Sequence, residues 1–140
     1  MAKNGVIWLT EQDYKRLKDV LDIHVRQSRT IAGELQSLEN LLDLARIVRS
    51  EEVPQDVVTM NSQVLFRDLR TGGEDRVTIA YPAEADPSSG RISVLSPVGT
   101  ALVGATEGQE IELPLPHGNR RSIRIESVIY QPEAQGHFAL

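Results

Sequence analysis

The sequence predicts an α+β protein: an antiparallel helical hairpin over residues 1–52, then an antiparallel sheet domain with one short helix over residues 53–140. Three observations lead to that class. Up to about residue 48, apolar side chains recur at intervals of three and four, the period of helices packed along one face. Beyond Pro54 the pattern becomes short β-branched runs broken by Gly, Pro and Asp, the pattern of strands and turns. The charge changes at the same place. Residues 1–50 hold eight basic and seven acidic side chains, whereas residues 51–140 hold seven arginines against thirteen carboxylates, so the net charge of −5 belongs to the second part.

Val6-Ile7-Trp8-Leu9 is an apolar entry, and Thr10-Glu11-Gln12-Asp13 has the form of a capping box with acids in the first helical turn. Tyr14, Leu17, Leu21 and then His24 or Val25 share one face of a helix running to about His24, and Trp8 or Leu9 is placed to staple against its first turn. The polar residues 25–30 form the reversal. A second helix carries the seam Ile31, Leu35, Leu38, Leu42 and Ala45, spaced for a partner helix at a shallow angle, while Leu41, Leu44, Ile47 and Val48 add a second stripe. Each arm holds about 15 to 20 residues, hence roughly 22 to 30 Å at 1.5 Å per residue, which makes a short coiled coil. Pro54 ends it, because a proline disfavours helical geometry in the residue before it.

In the second domain, residues 56–60 and 62–67 are expected to be extended. A strand over 76–81 follows the Thr71-Gly72-Gly73 turn, and another over 91–95 follows Asp86-Pro87-Ser88-Ser89-Gly90. Residues 111–113 and 122–130 complete a bent sheet of about five or six strands, the last alternating through Ile123, Ile125, Ser127 and Ile129. The tail after Tyr130 carries no pattern. Between the strands lies Ser96-Pro97-Val98-Gly99-Thr100-Ala101-Leu102-Val103-Gly104. Ser96 is placed to cap a short helix and Pro97 fits its first position, where a missing N–H costs nothing. Gly99, Ala101 and Gly104 allow close approach to a sheet, and Val98, Leu102 and Val103 supply apolar contact. On its residues alone, the stretch is a packing device.

The absence of cysteine excludes a disulfide framework and fits a reducing compartment. No apolar run approaches the roughly 20 residues that span a bilayer, and the first ten residues lack the apolar core of a signal peptide. A soluble cytoplasmic protein with no membrane partner is expected. Its acidic balance argues against direct sequence-specific nucleic-acid binding, which needs clustered Lys and Arg. His24, His117 and His137 are scattered with no acidic partner at ligand spacing, so no metal site is assigned. Gly99 to Gly104 has the glycine spacing of a phosphate-binding loop without the Gly-Lys-Ser or Thr that completes it, and no nucleophile elbow is present. No catalytic residue and no cofactor are assigned. The exposed candidate is the hairpin tip, with His24, Arg26, Gln27, Ser28 and Arg29: either a solvated turn or a basic probe for an acidic or phosphate-lined site.

Ser96 to Gly104, followed by Gly108, Ile111, Leu113, Pro116 and Gly118, resembles the Gre-type transcript-cleavage factors of bacterial RNA polymerase. Their second domain carries Ser-Pro-x-Gly-x-Ala-Leu-x-Gly and a later Pro-x-Gly turn. Residues 51–62 and Tyr130-Gln131-Pro132-Glu133-Ala134 are similar to the Rnk subfamily, the regulators of nucleoside diphosphate kinase, and extend the resemblance over nearly the whole chain. The resemblance implies an FKBP-like second domain that docks at the rim of the polymerase secondary channel, with Ser96, Pro97, Val98 and Gly99 in the docking loop and the hairpin entering the channel. Gre factors act through acidic tip residues that help hold a catalytic magnesium. Here the tip offers Arg26 and Arg29, with Asp22 and Glu34 outside the turn, and a cation cannot replace a carboxylate as a magnesium ligand. The expectation is a monomeric, non-enzymatic regulator that binds polymerase and competes with Gre-type factors without cleaving transcripts. A cleavage factor using Asp22 or Glu34 is the alternative. Proline isomerisation and an indirect effect on nucleoside diphosphate kinase stand behind it; fold alone does not carry the former, and Phe66, Tyr81 and Tyr130 are few aromatic residues for a proline pocket.

Overall fold

The computed structural model describes residues 6–27, 32–114 and 120–136. Strand β1 (Trp8–Thr10) leads directly into helix α1 (Glu11–Gln27). Half of the predicted capping box forms at the helix start: the Thr10 hydroxyl oxygen accepts the Asp13 amide at 3.0 Å, while the Asp13 carboxyl turns to Met60 and Tyr81. Leu17 is fully buried on the predicted face, and Tyr14 and Leu21 pack beside it. At roughly 26 Å, α1 has the length of a short arm.

Helix α2 (Ala32–Leu44) is shorter than its apolar spacing suggests. It stops at Leu44, and Arg46–Val48 leaves as strand β2, paired in parallel with β1 so that Trp8 faces Arg46 and Leu9 faces Ile47. The β-branched pair Ile47 and Val48 is better suited to that ladder than to a helical turn. The expected second stripe therefore breaks up: Leu41 is buried, but Leu44 is 71% and Ile47 40% exposed. Leu38 and Leu42 of the predicted seam are buried, while the side chains of Ile31 and Leu35 lie outside the described residues. Pairing of β1 with β2 holds the start of α1 against the end of α2, at the opposite end from the reversal.

The second half forms a five-stranded sheet in the order β5-β4-β3-β7-β6, with β3 Gln63–Asp68, β4 Glu74–Ala80, β5 Arg91–Ser93, β6 Glu110–Pro114 and β7 Arg120–Tyr130. It is mixed rather than antiparallel, because β5 runs parallel to β4 with Thr78 opposite Arg91. The connection explains the direction: two short 3₁₀ turns, Pro82–Glu84 and Pro87–Ser89, carry the chain back along β4, until the Thr78 amide donates to Gly90 at 2.8 Å. Residues 56–60, expected as a strand, form one isolated bridge, Val57 to Thr106, and then a tight turn at 59–62. Two register irregularities between β3 and β7 curl the sheet.

Val64, Phe66, Ile79, Ile111, Leu113, Ile123 and Ile125 line the inner face of the sheet beneath helix α3 (Pro97–Leu102). The same apolar cluster continues into Leu9, Leu17, Leu38, Leu41 and Leu42. Hairpin base and sheet thus share one core. Among the described residues, no helix is long and apolar enough to cross a membrane.

Candidate docking surface and hairpin base

The four residues singled out at the start of α3, its cap Ser96 and its first three positions, divide into two pairs. Ser96 caps the helix: its Oγ accepts the Gly99 amide at 3.1 Å and donates to the Ser93 carbonyl at 2.6 Å. Gly99 is buried, and a Cβ there would collide with the Ser93 carbonyl. Serine and glycine therefore shape the turn. Pro97 is exposed, and Val98 is half-buried with its side chain packed on the core, so the surface at this end of α3 is mainly the proline.

At the other end of the stretch, Gly104 has φ +84°, a left-handed conformation that favours glycine. A Cβ would meet the Ile7 side chain at 2.6 Å and the Trp8 carbonyl at 3.1 Å. The Gly104 amide donates to Val58 at 2.7 Å, and its carbonyl accepts the Trp8 amide at 2.9 Å. The motif thus fixes the sheet domain to the first strand of the hairpin unit. It is a packing device and an anchor together.

Asp13 forms a second anchor. Its side chain is buried, and it accepts the Met60 amide at 3.1 Å and the Tyr81 hydroxyl at 3.2 Å, joining the first turn of α1 to two loops of the sheet domain. Burial, and then the negative charge of Glu133, push the Asp13 carboxyl up to about 7; the Met60 and Tyr81 hydrogen bonds and the Arg16 charge offset part of this. Burial and the neighbouring Asp13 charge push the Tyr81 phenol up as well. The capping pattern placed Asp13 at the helix start, but nothing in its sequence neighbourhood reveals its partners 47 and 68 positions away.

The patternless tail supplies a third. Gln131 is buried, and its Nε2 donates to the carbonyls of Pro54 at 2.7 Å and Val57 at 2.8 Å. The Thr59 hydroxyl donates to Glu133 at 2.7 Å. The two segments that carry the subfamily resemblance, 51–62 and 130–134, therefore meet in space.

At the hairpin tip, His24 is half-buried and its Nδ1 donates to the Val20 carbonyl at 2.8 Å, one turn back along its own helix. Arg26 and Gln27 belong to the last turn of α1, but their side chains lie outside the described residues, as do Ser28, Arg29, His117, His137, Pro116 and Gly118. Asp22 is exposed on α1. Helix α3 packs at the hairpin base, so the structure does not bring the two predicted site regions together.

A family model described as transcription elongation factor GreA/GreB, C-terminal, matches residues 53–130, a span that holds α3 and all five strands of the large sheet. Over its full length the chain is 39% identical to the regulator of nucleoside diphosphate kinase of Escherichia coli (strain K12), with 100% of each covered. The elongation factor GreA of Clostridium acetobutylicum is 39% identical over 88 residues, which are 63% of this chain and 56% of that protein. Among solved structures, a prokaryotic transcription elongation factor GreA/GreB from Nitrosomonas europaea matches with a TM-score of 0.71 and 38% identity, over 91% of this chain and 100% of that one.

Proposed function

The chain belongs to the GreA/GreB family of transcription elongation factors, and on that premise we propose that it is a regulator that binds bacterial RNA polymerase without cleaving transcripts. In this reading the FKBP-like sheet domain docks at the rim of the secondary channel, led by Pro97 and the exposed part of Val98, and the coiled-coil hairpin enters the channel. The protein acts as a monomer in the cytoplasm and competes there with Gre-type factors. The observation that carries the reading is the family match over 53–130, which contains the α3 turn with its proline presented to solvent.

Two features support the absence of cleavage. Arg26, in the last turn of α1, and Arg29, in the span that the sequence assigns to the reversal, stand in the sequence where magnesium-holding carboxylates would be needed. The arm is also short, with α2 spanning roughly 20 Å. The E. coli relative's name states control of nucleoside diphosphate kinase; for this chain such control is an indirect consequence of altered transcription. Binding to immobilised core polymerase, followed by incubation with backtracked complexes, tests the reading. The protein is retained and leaves the RNA length unchanged. Failure to bind overturns the reading, and shortened RNA replaces it with the cleavage-factor alternative, whose carboxylates are then tested by Asp22→Asn and Glu34→Gln.

A further inference from the structure

We draw no further inference here: the strongest candidate, the exposed apolar surface at Leu44 and Ile47 where α2 gives way to β2 at the hairpin base, carries nothing because nothing in the structure shows what covers it.

Discussion

Asp13 serves two elements at once: its amide begins α1, and its carboxyl ties that helix to Met60 and Tyr81. Because the folded carboxyl is pushed up to about 7 from an ordinary 3.8, the folded chain holds a proton between those values that the unfolded chain has lost. The stabilisation is complete below about pH 3.8 and disappears as the pH rises through about 7, an effect on the order of 4 kcal/mol. Asp68, held low by its hydrogen bond from Arg121, and Asp86, held low by Ser88, titrate below that window and do not mask it. Urea unfolding of the wild type should therefore give a midpoint that falls between about pH 5 and pH 8, with a shallower fall in Asp13→Asn; parallel pH profiles would contradict this. Gly99→Ala forces a methyl group into the Ser93 carbonyl and is expected to cost about 3 kcal/mol in the same experiment. Gln131→Ala leaves the Pro54 and Val57 carbonyls without their donor and should cost about 2 kcal/mol. Thr10, Ser96 and Gly99 could be assigned their roles from sequence because capping and close approach are local chemistry. The partners of Asp13 and Gln131 could not, because they arrive from dozens of residues away.

At the scale of elements, the helical period was legible wherever a face is buried, and it misled where the chain merely stays apolar. Leu44 and Ile47 extend the spacing of α2, yet the chain leaves the helix there to pair with β1. Strand direction was not legible at all: alternation identifies β4 and β5 but is the same for parallel and antiparallel neighbours, and the 81–90 connection decides between them. Helix α3 starts at the Ser96 cap and Pro97 that its residues predict, and the exposure of its first turn separates variants at two neighbouring positions, as their residue types suggest. Pro97→Asp acts on an exposed position and should weaken polymerase retention with no shift in the thermal midpoint. Val98→Asp places a charge against the core and should lower both. Equal effects of the two on stability would show that Pro97 is not a clean surface probe.

For the whole molecule, the continuity of one apolar cluster from Leu17 and Leu38 to Ile123 and Ile125 makes the hairpin base part of the sheet's core. Trp8, the single tryptophan, lies half-buried at that base with the Arg46 guanidinium 5.0 Å from its ring centre. Its fluorescence and the far-ultraviolet circular dichroism of the chain should report coincident unfolding transitions; an earlier transition at Trp8 would mean that the hairpin separates first. Asp13, Gly104 and the β1–β2 pair hold this base against the sheet domain, the arrangement that the proposed docking and insertion call for. The central claim, occupation of the Gre site on polymerase without cleavage, is tested most directly by competition: labelled protein bound to core polymerase is challenged with excess GreA, as wild type and as Arg26→Asp/Arg29→Asp. The account predicts displacement of both forms and no shortening of backtracked RNA by the wild type. Binding indifferent to excess GreA would contradict it.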